Sequence, residues 1–246
     1  MTPTQLAVIV LASFAGALVK SVVGLGYPVI AVPIITLVLG VPDAVVLVAL
    51  PNLAANVFLH LESRDARSEA RDLAALVGYG VVGAVIGTVA LVHLPEEPLM
   101  VGLAAMVLVF VVVFLRHPEL TLSESTTRRG APFVGVVAGL AQGAIGVSGP
   151  VVATWVHGYR LAARAYVHSV TLVFGVTGLA QAVVLVVQGQ FTAQRLLGSL
   201  VAAVPMVAAT LIGLRLRPRL AGPTFDKVVL GVVSFSAVAL LFQAFA

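Results

Sequence analysis

The chain has 246 residues, of which 60% are hydrophobic and only 10% are Asp, Glu, Lys or Arg, and its mean hydropathy is +1.12. Soluble domains carry roughly 25% charged residues, so this composition excludes one and indicates an integral membrane protein. The formal net charge of +4 sits in connections between apolar segments, which reads as membrane topology rather than nucleic-acid binding, and the lack of cysteine excludes disulfides, thiolate metal sites and a cysteine nucleophile.

The apolar runs are long and continuous, which suits helices of about 20 residues and not the alternating strands of a barrel. The connections are too short to hold a soluble domain. At the N-terminus, Thr2 and Gln5 have capping-box spacing, with Pro3 at the first helical position. The basic leader of a signal peptide is missing there, so the first segment is expected to stay attached. Five apolar segments are expected in each half. The first half has Leu6–Val23, Val29–Leu39, Ala44–Leu61, Leu73–Leu94 and Leu99–Leu115. The second has Ala131–Ile145, Val151–Val156 extending toward Tyr159, Ala165–Val187, Leu196–Leu214 and Val228–Ala246. The second segment of each half is too short to span a bilayer.

The stretch Ser21-Val-Val-Gly24-Leu-Gly26-Tyr27-Pro28 has a partner 122 positions on, Gly143-Ala-Ile-Gly146-Val-Ser148-Gly149-Pro150. In both, an apolar segment meets a glycine-rich break and leaves through a proline. Later, Gly83-Ala-Val-Ile-Gly87 resembles Ala209-Thr-Leu-Ile-Gly213. The chain is therefore expected to be two repeats, residues 1–118 and 131–246, joined by a cytoplasmic linker over 119–130. Of 14 Lys and Arg, 12 fall in loops assigned to the inside, while Arg195 falls outside and Lys20 lies in the first segment. With that orientation, matching segments run in opposite directions. The expected fold is an all-α membrane protein of two inverted repeats, each a broken or re-entrant helix pair followed by three transmembrane helices. Both termini come out on the external side.

Non-helical backbone at membrane depth is tolerated only within protein or beside a water-filled cavity. A helix opening near Pro28 or Pro150 presents free N–H groups and a positive dipole end, which suits an anion. A kink that serves only close helix packing is the plainer alternative. The polar residues near the breaks favour a substrate site: Lys20, Ser21, Gly24, Gly26 and Tyr27 in the first half, and Gln142, Gly146, Ser148 and Gly149 in the second. A lysine inside a membrane helix is functional by default, with snorkelling as the alternative. Asn52 and Asn56 share a helical face, and their counterpart segment carries His168, Thr171, Thr177 and Gln181. Asp43, Glu62, Glu96, Glu97 and Asp226 fall at ends or in loops, so a cation site or a carboxylate proton relay is disfavoured. His168 is the deep candidate for a proton carrier, with a packing or interfacial histidine as the plainer alternative. No cofactor and no metal is expected.

These breaks and the half-chain repeat resemble the TauE/SafE family of sulfite-exporter-like anion transporters (TSUP), over nearly the whole chain. The first copy departs from the family pattern at Tyr27, where members carry a small residue. The resemblance implies export of a sulfur-containing anion such as sulfite, sulfoacetate or a related organosulfonate across the bacterial inner membrane, by a multi-pass protein in the lipid bilayer. Two other readings stand beside it. Gly146-Val-Ser148-Gly149 fits the G-x-S-G pattern of rhomboid-like intramembrane serine proteases, with His157 or His168 as base. An anion channel of the same fold is the other. The exposed apolar faces would also support a homodimer.

Overall fold

The computed structural model describes residues 1–23, 27–69, 73–116, 121–220 and 223–245, and all regular structure among them is helical. In chain order the helices are α1 (Pro3–Val23), α2 (Tyr27–Leu39), α3 (Val41–Glu62), α4 (Leu73–His93) and α5 (Glu96–Arg116), then α6 (Glu124–Ile145), α7 (Gly149–His157), α8 (Ala163–Val187), α9 (Ala193–Leu220) and α10 (Pro223–Phe245). A 3-10 turn over Arg64–Glu69 follows α3. Six described helices are long and apolar enough to cross a membrane. With 13 and 9 residues, α2 and α7 reach only about 20 and 13 Å at 1.5 Å per residue, well short of the ~30 Å hydrocarbon core.

Local signals set several boundaries. Thr2 and Gln5 cap α1 reciprocally: the Thr2 N–H donates to Gln5 Oε1 (2.8 Å) and the Gln5 N–H to Thr2 Oγ1 (3.2 Å). Ser123 Oγ accepts from the Thr126 N–H and starts α6 at Glu124, ahead of the apolar stretch expected from Ala131. Arg128 and Arg129 therefore sit on the first turns of a helix. Gly146 ends α6 in the left-handed region (φ 69°), where a side chain would be strained. Gly40 has φ 85° between α2 and α3, and the Glu96 carboxylate lies where its Cβ would be. That carboxylate accepts from the Val41 N–H at 2.6 Å, satisfying a donor the helix start leaves open.

Contacts along the helices give their directions. Gly135, Gly139 and Gly143 of α6 lie against Leu76 and Gly80, Gly80 and Ala84, and Ala84 and Thr88 of α4, so α4 and α6 run the same way. Gly80 also meets Thr177, and His93 meets Gln188, which adds α8 to that direction. Gly198 of α9 lies against Met1 and Leu47, and Gly213 against Leu18 and Ser21. Arg195 pairs with Asp43 (2.6 Å), and Ser199 Oγ donates to the Leu47 carbonyl (3.0 Å). Hence α1, α3 and α9 run together. Against α3, α8 is antiparallel: Arg164 reaches the Glu62 carbonyl, His60 stacks on His168, and Leu53 meets Gly178.

The short helices double back. Gly130 near the start of α6 packs on Trp155 near the end of α7, and the Leu122 N–H donates to the Gly158 carbonyl (2.9 Å). In the first half, Gly16 of α1 lies against Tyr27 and Ala31 of α2. Each half thus opens on a helical hairpin with one long and one short arm. Two apolar clusters fill the interior. The larger joins α1, α2, α5, α9 and α10 to the first half of α3 and takes in Leu91 of α4, Ala141 and Ile145 of α6 and Leu185 of α8, while the smaller lies among α4, α6, α7 and α8.

Candidate functional site

In the first half, Lys20 in the last turn of α1 reaches across to α3, where Nζ donates to Asn56 Oδ1 at 3.2 Å. An ammonium has donors only, so it fixes the orientation of the amide. The Asn56 NH2 group must point the other way, and its Nδ2 is buried without a hydrogen-bond partner among the described residues. Asn52 lies buried one turn earlier on the same face, and His60 one turn later. The His60 ring stacks on His168 of α8 with centroids 4.3 Å apart. The Nδ1 of His60 is also buried without a partner among the described residues. Lys20, Asn52, Asn56, His60 and His168 therefore form one polar seam between α1, α3 and α8.

In the second half the corresponding position is closed by uncharged groups. Gln142 of α6 donates through Nε2 to Gln181 Oε1 (3.0 Å), and Ser148 Oγ donates to Gln142 Oε1 (2.9 Å). Gln181 Nε2 donates to the Gln142 carbonyl (2.7 Å) and lies 3.3 Å from that of Gly143. The Gln142 carbonyl also accepts from the Gly146 N–H (3.0 Å), so Gln181 adds a second donor there and reaches the Gly143 carbonyl in the last turn of α6, where backbone donors run out. In a membrane interior an unsatisfied carbonyl is costly, so Gln181 acts as a side-chain cap for the broken helix. The sequence pattern placed Gln181 on α8 but gave no sign of this bond, which depends on a helix 39 residues away.

The structure separates the remaining expected site residues. Ser21 Oγ donates to the Leu18 carbonyl and packs on Gly213 of α9. Thr171 Oγ1 bonds the Val167 carbonyl (2.7 Å) and lies 3.2 Å from that of His168. A hydroxyl that has donated its one proton presents only lone pairs, which repel an oxyanion. Tyr27 is fully buried in the larger apolar cluster. Gly146 faces Val32 and Val45, and Gly149 faces Val29, so the opening turn of α7 meets apolar side chains of α2 and α3. Gly24 and Gly26 lie outside the described residues. His60 is a member of the seam that sequence reasoning missed. It stands two residues from the end of α3, where a histidine reads as interfacial.

Serine-protease geometry is not what surrounds Ser148. Its hydroxyl donates to an amide oxygen, His157 stands at the far end of α7 with its ring edge-on to Tyr166, and His168 stacks on His60. A base would have to accept the serine proton within hydrogen-bond reach.

Among the described residues the charged ends are also sorted. Arg64, Arg128, Arg129, Arg160 and Arg164 cluster at the end where α3 finishes and α6 and α8 begin, whereas Arg195 and Asp43 mark the opposite end. Arg164 pairs there with Asp65 at 2.8 Å.

The model of the family described as "Sulfite exporter TauE/SafE" matches residues 8–240. No curated protein and no solved structure gave a match. The match spans nearly the whole chain, and the chain belongs to the TauE/SafE family of transporters.

Proposed function

We propose that this member of the TauE/SafE family is a secondary transporter that exports a small sulfur-containing oxyanion, such as sulfite, sulfoacetate or a related organosulfonate, across the bacterial inner membrane. The observation that carries the reading is the Lys20–Asn56 pair. It brings a cation and an amide donor with no described partner together among the apolar helices, and Asp43, Glu62, Glu96 and Glu97 all stand at helix ends. A buried cation is costly without a counter-charge. A mobile oxyanion in the seam between α1, α3 and α8 supplies that charge and accepts from both donors.

The opposite directions of α1 and α6, of α3 and α8, and of α4 and α9 support two inverted repeats. So does the exchange of neighbours: α1 packs on α9 as α6 packs on α4, α3 on α9 as α8 on α4, and α2 on α10 as α7 on α5. In this reading the repeats alternate access around the seam. Asn52 and His168 complete the lining, and the basic end gathers anions at the cytoplasmic mouth.

The test is thermal stabilisation of the purified protein by sulfite, sulfoacetate, taurine, sulfate, acetate and chloride. A ligand at 100 times its Kd adds about 2.7 kcal/mol. Selective stabilisation by a sulfur oxyanion is expected. It should weaken about 10- to 100-fold in apparent affinity for Lys20→Ala, the equivalent of one charge-assisted hydrogen bond. Unchanged stabilisation in Lys20→Ala would remove the seam from the substrate path.

A further inference from the structure

The geometry points to His60 as a proton-dependent ligand of the transported anion, so that each anion is bound together with a proton; this rests on the seam being the substrate site. Three observations converge on it. Asn56 and His60 are four residues apart on α3 and so present neighbouring side chains on one face. Both carry a buried polar atom with no partner among the described residues, Nδ2 of Asn56 and Nδ1 of His60. Lys20, bonded to Asn56, supplies the adjoining positive charge.

The two unpartnered atoms differ in kind. The amide Nδ2 carries hydrogens in every state, whereas an imidazole nitrogen donates only when it bears the proton. An oxyanion held by Lys20 and Asn56 offers His60 Nδ1 an acceptor, and that contact is attractive only with a proton on Nδ1. The stack with His168 at 4.3 Å limits the number of protons. Two imidazolium rings face to face at that distance repel, so the pair takes up one charge as the anion arrives. By linkage, whatever binds with the anion must tighten anion binding in return.

The surrounding charges are named from each neighbouring element. From α1 comes Lys20, and from α8 come His168 and Arg164, with Tyr166 edge-on to His157 of α7. Glu62 follows on α3, and Arg64 and Asp65 lie in the 3-10 turn, where Asp65 is already paired with Arg164. The charged groups that α9 and α5 bring to α3, Arg195 and Glu96, meet it at Asp43 and Val41, near its other end. On α4, His93 lies by Gln188 past the far end of α8, while α2 supplies Tyr27. On α6, Glu124, Arg128 and Arg129 belong to the opening turns, and Arg215 on α9 follows the Gly213 contact with Ser21. No carboxylate among these has a described contact with the His60 ring, so the anion itself is its counter-charge.

The experiment is calorimetric titration of the purified full-length protein with sulfoacetate and with sulfate. Both keep constant charge from about pH 5.5 to 8.5, the range in which histidines as a class titrate. Repeating each titration in buffers of different ionisation enthalpy counts the protons taken up per anion. Uptake approaching one proton is expected at the alkaline end, with affinity rising up to about tenfold per pH unit on acidification. His60→Gln should bind more weakly, and its affinity should no longer follow pH. Pairing it with His60→Phe, which preserves a ring on His168, keeps the comparison usable if one variant folds poorly. The wild-type proton count needs no variant at all. Binding without proton uptake would overturn the role of His60 and leave the seam as the site, as would uptake that survives in both variants. Binding of neither anion, or binding that is insensitive to Lys20→Ala, would instead remove the site reading beneath it.

Discussion

Lysine donates and cannot accept, and that one fact separates the two halves of the molecule at the level of single residues. In the first half it leaves the Asn56 amide hydrogens unclaimed. In the second half Gln142, Ser148 and Gln181 consume one another's donors and acceptors and hold a helix end closed. Gln181→Glu is therefore expected to destabilise, because it exchanges the donor for a second acceptor facing the α6 carbonyls. A lost buried partner costs about 1–3 kcal/mol and more when charge is introduced. Gln181→Leu should cost less than Gln181→Glu, and thermal unfolding of the two variants side by side checks the order. At the exposed basic end, the hydrogen bond from Arg164 holds the Asp65 carboxyl below the usual aspartate range. A depressed carboxyl stabilises above its ordinary pKa, and the benefit is lost as pH falls through the lowered value. Both side chains are more than 60% exposed, so solvent screens the pair. Asp65→Asn should leave Tm near its wild-type value at neutral pH and flatten only the acid limb of Tm against pH. The capping box at Thr2 was legible because it lies within four residues. The Gln181 cap and the His60 stack were not, because each exists only once two distant helices meet.

Among helices, backbone proximity dominates the pairing of α4 with α6. Gly83 lies against the backbone of Val136 and Leu140, Gly87 against that of Leu140 and Ala144, and Gly139 against that of Gly80 and Ala84. Apolar side chains gain nothing by leaving lipid, so such pairs rely on close van der Waals packing, which small residues allow. A methyl at residue 139 would meet backbone, which cannot rotate away. Gly139→Ala is expected to force the two helices apart and to lower the yield of folded protein and its Tm. Gly78, on the same α4 helix, has no neighbour among the described residues within 4 Å of where its Cβ would stand. Gly78→Ala should be tolerated or slightly stabilising, by up to about 1 kcal/mol from helix propensity. Equal damage from both substitutions would mean that helix propensity, not interhelical contact, explains these glycines. The glycine-rich breaks and the shortness of α2 and α7 were readable from the chain, since length against bilayer thickness decides them. Whether the short segments cross or return was not readable, because both choices fit the same hydropathy. The contacts of Trp155 with Gly130 and of Gly158 with Leu122 decide it in favour of return. The early start of α6 was hidden by Arg128 and Arg129, which look like a loop in hydropathy but lie on a capped helix.

Across the whole molecule, the helix directions support the inverted repeats proposed above. Each half contributes five helices, and each successive helix whose contacts fix its direction reverses the one before. The contacts run α1, α3 and α9 one way and α4, α6 and α8 the other, so α1 and α6, α3 and α8, and α4 and α9 are opposed. The two halves are nonetheless interleaved: α9 of the second half packs on α1, and α4 of the first packs on α6. Bodies that rock against one another would follow these pairs, with α9 moving beside α1 and α4 beside α6, instead of dividing at the chain midpoint. By the positive-inside rule, the basic residues gathered where α3 ends and α6 begins predict a cytoplasmic position for that end. The start of α1 lies by Gly198 and Leu47, at the other end. The natural chain has no cysteine, so single cysteines at exposed positions report sidedness without background. Thr4→Cys and Ala193→Cys should react with an impermeant maleimide added outside intact cells. Ser125→Cys should react only after the membrane is opened or inverted. Labelling of Thr4→Cys and Ser125→Cys from the same side would contradict the helix directions themselves. Labelling of all three with sides exchanged would keep those directions and reverse the orientation, which would also turn the basic mouth, and the expected direction of anion capture, to the outside.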